Sequence, residues 1–259
     1  MIVRLLILSL CLLGVRAKAV MDQIAPSGLY TENDNVHILT KDNFQGMVHD
    51  QPHAWLIEFY NSWCGHCKKF APTWVEFATA VRGWGNVVKI GAIDCADDRN
   101  NDVCRDMEIL AYPSIKFYRE HYVEGSKDLG QALKKGETSH ELIELLLFQM
   151  RGEQGAGRGK SWPDLSVQNF SNAAEIWNDI PTQVQVVFLV FESVNSTTGS
   201  EIMLDLNDID SIKIFRLTSS NNLAKILSVK FYPTLFAVDR FSYTPHSISV
   251  ETTRHVLKD

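Results

Sequence analysis

Short apolar runs alternate with helix-like segments through the first 150 residues of the chain. Four runs have strand character, and the third is a β-branched stretch typical of a buried central strand: 36–40, 54–60, 86–94 and 114–119. The segments that separate and follow them have helical character: 42–49 with Asp42 as its cap, 68–77, 99–107 and 138–150. This alternation predicts an α/β sandwich built around a mixed sheet.

The second half of the chain repeats this order. Two more strand-like runs are found at 184–191 and 211–217. Further on, Tyr232-Pro233-Thr234 leads into an apolar run, as Tyr112-Pro113-Ser114 does in the first half. Matching elements in the same order predict an internal duplication. The second copy contains no cysteine, so we expect it to have no redox chemistry.

A glycine-rich, charged stretch separates the two halves. It covers 151–160 and has no large apolar side chain, which is typical of a flexible linker. A chain of 259 residues with a 45% hydrophobic share is long enough for two ordinary domains. We predict a first domain at 20–151, a linker at 152–162 and a second domain at 163–259. The net charge of −6 argues against a nucleic-acid partner.

The amino terminus has the pattern of a secretory signal peptide. Residues 1–19 hold one early basic residue, Arg4, an apolar stretch at 5–15 and the small-x-small triplet Ala17-Lys18-Ala19, which predicts cleavage before Val20. The alternative is a membrane anchor, but the apolar stretch is about half of the roughly 20 residues that a spanning helix needs. We therefore expect no stable membrane insertion and a location in the endoplasmic reticulum or Golgi lumen, or outside the cell.

The cysteines and two glycosylation sequons fit the same compartment. Cleavage of the leader removes Cys11 and leaves four cysteines, an even number suited to an oxidising lumen. Asn169-Phe170-Ser171 and Asn195-Ser196-Thr197 match the acceptor pattern, so we predict N-glycosylation at Asn169 and Asn195.

The pentapeptide Trp63-Cys64-Gly65-His66-Cys67 carries the candidate chemistry. It follows the apolar run at 54–60 and opens a helix-like stretch. In the first turn of a helix, the dipole and the free backbone N–H groups stabilise a thiolate at Cys64 and lower its pKa. The two-residue spacing lets Cys67 reach back and close a disulfide. This arrangement predicts a thiol–disulfide redox site.

A zinc site is the principal alternative for this spacing, and an inert structural disulfide is another. Zinc needs a second pair of ligands, and the only other pair, Cys95 and Cys104, is separated by eight residues instead of the usual two to four. We therefore expect no metal.

The motif and its surroundings resemble the thioredoxin-fold domains of the protein disulfide isomerase type. More narrowly, the chain resembles the N-terminal half of the quiescin sulfhydryl oxidase family. The residues that carry this narrower resemblance are Gly28-Leu29-Tyr30, 62–67, 70–74, Asp94-Cys95-Ala96, 103–106 and Leu204-Asp205-Leu206. The resemblance implies an α/β fold of two tandem thioredoxin-like domains, each a mixed sheet flanked by helices, with the first redox-active and the second inactive.

The same resemblance implies an oxidoreductase that oxidises or isomerises the disulfides of cysteine-containing client proteins. A client thiolate attacks Cys64 to give a mixed disulfide, and a second client thiol resolves it, which leaves Cys64 and Cys67 as a dithiol. His66 favours client oxidation because a partly cationic imidazole stabilises the thiolate of the reduced form. The alternative for His66 is a solvated loop residue.

Further site residues follow from the family pattern. Glu58 matches a glutamate that lies beneath the disulfide and relays the proton of the buried cysteine; the alternative is a carboxylate at the rim of the sheet. Tyr112 and Pro113 match the cis-proline segment that binds the extended client. Arg119 matches an arginine that modulates the pKa of the second cysteine, and a solvated arginine at the strand end is the alternative.

The resemblance also implies a structural disulfide between Cys95 and Cys104, with a redox relay to the active-site pair as the alternative. In the family a flavin-binding domain follows, for which these 259 residues show no counterpart. We therefore expect the chain itself to bind no cofactor, with FAD implied only for the full-length family, and not to pass electrons to oxygen on its own. Two alternatives remain: a chaperone-like client-binding module, and a truncated regulatory form that accepts client electrons without unloading them.

Overall fold

The computed structural model describes residues 28–123, 128–241 and 245–248. The predicted signal peptide, 1–19, lies outside them. Among the described residues, no helix combines the length and the apolar character that a membrane span requires.

The first unit is a five-stranded mixed sheet with helices on both faces. Its elements are β1 (His37–Leu39), α1 (Lys41–Val48), β2 (Ala54–Tyr60), α2 (Gly65–Ala80), β3 (Val88–Asp94), α3 (Asn101–Asp106), β4 (Ser114–Tyr118), β5 (Gln131–Leu133) and α4 (Ser139–Gly155). The strand order is β1-β3-β2-β4-β5, in which β1, β3 and β2 are parallel and β4 is antiparallel to both of its neighbours.

The central strand β2 is buried along its whole length and separates two apolar cores. Its odd-numbered residues face a core formed with α1 and α3, and its even-numbered residues face the core beneath α2 and α4. Because side chains alternate between the faces of a strand, Glu58 points into the core beneath α2, the helix that begins at the cysteine motif.

The second unit is a four-stranded sheet with the same relative strand directions. Its elements are β6 (Val186–Glu192), α5 (Thr198–Asp205), β7 (Ile212–Thr218), α6 (Asn222–Ile226), β8 (Thr234–Asp239) and β9 (Pro245–Ile248). The order β7-β6-β8-β9 corresponds to β3-β2-β4-β5 of the first unit, with β6 parallel to β7 and antiparallel to β8. Two sheets flanked by helices confirm the mixed α/β class.

Some elements differ from the sequence-based expectation. The short edge strands β5 and β9 were not predicted, because neither has a run of apolar residues long enough to stand out. Helix α1 is capped by Thr40 and not by Asp42. The reason is the Asn43 side chain, whose Oδ1 accepts a hydrogen bond from the Thr40 N–H at 2.7 Å and closes the first turn earlier.

The stretch predicted as a linker, 152–162, also differs from the expectation of a flexible segment. Helix α4 continues through Gly155, and its buried Glu153 accepts a hydrogen bond from Arg158 Nε at 2.7 Å. Trp162 at the end of the stretch is 4% exposed and belongs to the core beneath α2 and α4. The division of the chain into two domains at this stretch stays a prediction.

The two sheets share an apolar core and are joined by hydrogen bonds. Met203 and Leu204 on α5 belong to the same core as α2 and α4. Hydrogen bonds across the boundary include Trp84 Nε1 to Asp205 Oδ1 at 2.8 Å and Arg151 to Ser200 Oγ at 2.7 Å. The second unit therefore packs against the face of the first that carries α4.

Candidate active site

Cys64 and Cys67 lie at the amino-terminal end of α2, immediately after the buried strand β2. Cys64 is the N-cap of the helix, and its Sγ accepts a hydrogen bond from the Cys67 N–H at 3.4 Å. Both are free thiols; Cys64 is partly exposed and Cys67 is fully buried. An incoming thiol or disulfide can therefore reach Cys64 and not Cys67.

The two thiols have opposite pKa shifts. Burial alone would raise the pKa of Cys64, but hydrogen bonds from the Cys67 thiol and from the backbone N–H groups of Cys67 and His66 outweigh it and lower that pKa. Burial raises the pKa of Cys67 to about 12, with further upward contributions from Cys64 and, last, from Glu58. Cys64 is therefore the more acidic thiol, and Cys67 holds its proton tightly.

The loop between β2 and α2 is fixed by short-range hydrogen bonds. Asn61 accepts from the Cys64 N–H through its carbonyl and from the Trp63 N–H through its side chain, both at 2.9 Å. Asp94, at the end of β3, accepts from the Ser62 N–H at 3.1 Å. The loop holds Cys64 in place and leaves the Trp63 side chain 66% exposed beside it.

The peptide bond between Tyr112 and Pro113 is cis and faces the cysteines. The Tyr112 carbonyl oxygen lies 3.8 Å from Cys64 Sγ, and Leu110 just before it is 94% exposed. The structure thus brings Tyr112, Pro113 and Cys64 together at one surface. Their role in client binding stays a prediction.

Glu58 is completely buried beneath the cysteine helix. Its Oε2 accepts a hydrogen bond from the Tyr30 hydroxyl, and its Oε1 is buried without a hydrogen-bond partner among the described residues. Burial raises the pKa of Glu58 to about 8, although the hydrogen bond from Tyr30 opposes the rise. The buried position argues against the rim alternative, and the proton-relay role stays a prediction.

Tyr30 is a residue of this site to which the sequence analysis gave no role. The segment Gly28-Leu29-Tyr30 was noted only as part of a family resemblance. Nothing in its composition shows that it folds back onto β2, because the contact joins residues 28 positions apart.

His66 and Arg119 are placed differently from the rest of the predicted site. The His66 side chain is exposed, and only its backbone N–H contributes to the hydrogen bonding of Cys64. Arg119 is paired with Asp128 beyond the end of β4, where Tyr118 lies opposite Trp55. This end of the sheet is remote from Glu58 and the cysteines, so the structure does not bring Arg119 into the site.

Cys95 and Cys104 are joined by a disulfide with a Cα–Cα distance of 6.0 Å. The bond ties the loop after β3 to α3 and is buried in the core formed with α1 and α3. Cys67 belongs to the core on the other face of the sheet. The sheet separates the two cysteine pairs, which favours the structural role over the relay.

Both sequon asparagines, Asn169 and Asn195, are exposed. No cluster of three or more His, Cys, Asp or Glu side chains that could hold a metal is found in the described part of the chain.

The second unit has a counterpart of the cysteine site. Ser114 and Thr234 each follow a cis-proline and lie opposite Phe59 and Phe191, respectively. Counting from these two phenylalanines, the position equivalent to Cys67 is Gly199, in the first turn of α5.

A buried ion pair occupies this counterpart site. Glu192 and Arg216 have side chains that are 0% and 3% exposed, and their Oε1 and Nε atoms are 2.6 Å apart. Glu192 also accepts a hydrogen bond from the Gly199 N–H at 2.8 Å. Arg216 in addition donates to the Leu165 and Ser196 carbonyls. The space at this helix end is therefore filled by charged side chains.

Comparisons with known proteins agree with this geometry. The family model for thioredoxin matches residues 35–142. Sulfhydryl oxidase 1 of Gallus gallus is 32% identical over 215 residues, which are 82% of this chain and 28% of that protein. Sulfhydryl oxidase 1 of Cavia porcellus is 30% identical over 92% of this chain and 37% of that protein. Sulfhydryl oxidase 2 of Homo sapiens is 29% identical over 79% of this chain. The chain thus spans about a third of the length of these relatives.

Among solved structures, full-length ERdj5 superposes with a TM-score of 0.60 at 14% identity, covering 87% of this chain and 32% of that protein. This similarity supports the thioredoxin-like fold.

Proposed function

We propose that the chain is a thiol–disulfide oxidoreductase of the thioredoxin superfamily whose redox centre is the pair Cys64 and Cys67, because the thioredoxin family model matches residues 35–142 and the chain is similar to sulfhydryl oxidases over 82% of its length. The observation that carries the proposal is the arrangement of this pair. A partly exposed, acidified thiol and a buried, strongly protonated thiol lie together at a helix end that faces a cis-proline segment.

The exchange reaction begins from the oxidised pair. A client thiolate attacks Cys64 Sγ, the new client–Cys64 bond forms, the Cys64–Cys67 bond breaks, and Cys67 leaves with the electron pair. A second client thiolate then attacks the client sulfur of the mixed disulfide, and Cys64 leaves as a thiolate. The client loses two electrons and gains a disulfide, while the chain becomes a dithiol. The lowered pKa of Cys64 makes it the better leaving group in the second step.

Glu58 supplies the proton that the first step requires. Cys67 leaves into a buried site where a thiolate is unfavourable, as its pKa of about 12 indicates. With a pKa of about 8, Glu58 is mostly protonated at neutral pH and can donate to the Cys67 sulfur. In the reverse direction the Glu58 carboxylate accepts the proton of Cys67, so that Cys67 can attack Cys64 and release the client.

The secretory pathway is the compartment we propose for this activity. The signal-peptide pattern at 1–19, the exposed sequon residues Asn169 and Asn195 and the Cys95–Cys104 disulfide all suit an oxidising lumen. The clients we propose are secretory proteins with free cysteines, and Tyr112 with Pro113 offers them backbone groups beside Cys64.

If the chain takes part in sulfhydryl oxidation, as the names of its relatives suggest, a flavin would reoxidise the Cys64–Cys67 dithiol. A cavity of about 380 Å³ beside Tyr112 is lined by Asn101, Cys104, Arg105, Glu108, Ile109, Leu110 and Tyr112, and neither active-site cysteine is part of its wall. This cavity does not fit a flavin stacked on the disulfide.

Disulfide transfer to a reduced protein tests the proposal. The chain, oxidised and freed of oxidant, is mixed with reduced ribonuclease A, and the disulfides gained by the client are counted by mass spectrometry. We expect transfer of up to one disulfide per chain and none from the variant Cys64→Ser/Cys67→Ser.

A variant Cys95→Ser/Cys104→Ser is the matched control. It removes the other cysteine pair and is expected to transfer as much as the unaltered chain. If transfer persisted without Cys64 and Cys67, the proposed redox centre would be wrong.

Client binding by the second unit is a second candidate function. Tyr232–Pro233 is also a cis bond, and it directly follows Phe231, which is 79% exposed. If binding is the main function, the variant Phe231→Ser will lose protection of an unfolded client against aggregation, whereas the double cysteine variant will keep it.

A further inference from the structure

The amino-terminal segment of the described chain covers the buried carboxyl group of the active site. The Tyr30 side chain is 5% exposed and its hydroxyl donates a hydrogen bond to Glu58 Oε2. Its ring packs edge-on against Tyr60, with the ring centres 5.2 Å apart. The Leu29 N–H donates to the Tyr60 hydroxyl at 3.3 Å. Tyr60 therefore anchors the segment over β2, two residues beyond Glu58.

We propose that Tyr30 is a positioning residue for the redox reaction: its hydroxyl holds the Glu58 side chain and stabilises the carboxylate form that accepts the proton of Cys67. This inference rests on the proposed function and assigns a task to a segment outside the cysteine motif. The uncommitted oxygen, Oε1, remains available to the sulfur because Oε2 is held by Tyr30.

Within the described chain, the Glu58 side chain is hydrogen-bonded to the Tyr30 hydroxyl. The neighbours of Glu58 in the sheet, Ala92 on β3 and Ile115 on β4, are apolar. The titratable groups that act on this core from the surrounding elements are Tyr30, Tyr60, Cys64, Cys67, Asp94 and Tyr112. Burial raises the pKa of the Tyr30 hydroxyl far above its usual value, so it remains a donor across the working pH range.

The effect of the Tyr30 hydroxyl depends on the direction in which the thiol–disulfide exchange runs. Resolution of a client bound to Cys64 needs Cys67 to lose its proton, and therefore needs Glu58 as a carboxylate. A hydrogen bond donated to a carboxylate favours the ionised form. Without the Tyr30 hydroxyl, a smaller fraction of Glu58 is ionised at pH 7, and resolution by Cys67 slows.

The test uses the full chain with Tyr30→Phe, which removes the hydroxyl and keeps the ring. The titration of Glu58 is followed by the carboxyl ¹³C signal, assigned by its loss in Glu58→Gln. The rate at which Cys67 resolves a mixed disulfide is measured from pH 6 to 9. We expect the Glu58 midpoint to rise by about one pH unit and resolution at pH 7 to slow about tenfold, which is the size typical of a hydrogen bond to an ionised group.

Two controls separate positioning from a general loss of packing. Tyr118→Phe deletes a buried hydroxyl in the core on the other face of the sheet, and it should leave the Glu58 midpoint in place. In the Glu58→Gln background, Tyr30→Phe should cause no further slowing. If Tyr30→Phe slows resolution equally in that background, or leaves the Glu58 midpoint unchanged, the inference is overturned.

Gly28→Ala provides a second perturbation in case Tyr30→Phe does not fold. A Cβ at Gly28 would lie 2.7 Å from the Tyr60 hydroxyl, so the contact between the segment and Tyr60 must change although Tyr30 itself is intact. The Glu58 midpoint should rise here too, and an unchanged midpoint would count against the inference. The ¹³C titration does not require turnover. Failure of disulfide transfer would thus refute the proposed function alone, and an unchanged midpoint would refute only the role of Tyr30.

Discussion

Replacing Glu58 by glutamine should change how the free energy of unfolding depends on pH. Glutamine resembles the protonated acid in shape and can still accept the hydrogen bond of Tyr30, but it cannot ionise. The folded chain raises the pKa of Glu58 from 4.5 to about 8, chiefly by burial. Any pH-dependent destabilisation caused by ionising this carboxyl should therefore be missing from Glu58→Gln.

The sign and size follow from proton linkage. A carboxyl group with a raised pKa in the folded state contributes its full stability below the unfolded pKa of 4.5. This contribution is lost as the pH rises through about 8, because the unfolded chain releases the proton first. Between pH 5 and 8.5 the loss amounts to about 4 kcal/mol, at about 1.4 kcal/mol for each pKa unit. The stability of Glu58→Gln relative to the unaltered chain should rise by this amount.

Urea unfolding of both proteins at half-unit pH steps measures the difference. Buried tryptophans of the first unit, Trp55 and Trp74, provide the fluorescence signal. Titration of His37 and His53, whose pKa values are lowered by burial, affects both proteins alike and cancels. Carrying out the comparison in a Cys64→Ser/Cys67→Ser background removes both thiols, whose pKa of about 8.5 in the unfolded chain lies at the end of this range. Parallel stability curves for the two proteins would show that Glu58 titrates normally in the fold, and the proton-relay argument would then fail.

Three further predictions concern stability and reactivity. Arg216→Met should cost about 3–5 kcal/mol in urea unfolding, because it leaves a fully buried carboxylate without its partner. The pair Cys95→Ser/Cys104→Ser should lower the free energy of unfolding by about 2–3 kcal/mol, as expected for a short disulfide loop, while the disulfide transfer of the chain persists. Iodoacetamide at pH 7 should alkylate Cys64 at least about tenfold faster than Cys67, measured by peptide mass spectrometry, because Cys64 is the exposed and more acidic thiol.

Each of these has an outcome that would contradict it. Lys41→Met is the matched control for the arginine variant, since the Lys41–Asp102 pair is about half exposed and should contribute far less to the free energy of unfolding. Similar losses in the two variants would refute the importance of burial. Loss of transfer in a folded Cys95→Ser/Cys104→Ser chain would support the relay alternative. Equal alkylation of the two active-site thiols would contradict the asymmetry of the site.

The elements that could be predicted from the sequence are those with a strong local pattern. The strand at 54–60 is predicted with the same bounds as β2, because an apolar run that contains a single charged residue, Glu58, and is bounded by polar residues leaves little choice of strand ends. The cysteine helix and the cis segment at Pro113 were expected, the first from the position of the motif and the second from the family resemblance. Helix α4 runs on to Gly155 because tertiary contacts of Glu153 and Trp162 override the low helix propensity of a glycine-rich stretch.

What could not be predicted depends on contacts between distant parts of the chain. The contact of Tyr30 with Glu58 arises only when the amino-terminal segment folds over β2. The pairing of Glu192 with Arg216 likewise requires β6 and β7 to lie side by side. Arg119 shows the reverse case, in which a family pattern suggested a role and the local partner Asp128 holds the side chain elsewhere.

The ion pair in the second unit also constrains how this sequence could evolve. A cysteine at Gly199 would place its Cβ 2.7 Å from Cγ of Arg216 and 2.9 Å from Oε1 of Glu192. A smaller residue would first have to replace Arg216, and that substitution alone would leave the buried Glu192 carboxylate without its partner. A second C-x-x-C at this helix end would therefore require Ser196, Gly199 and Arg216 to change together, and a single substitution cannot supply it.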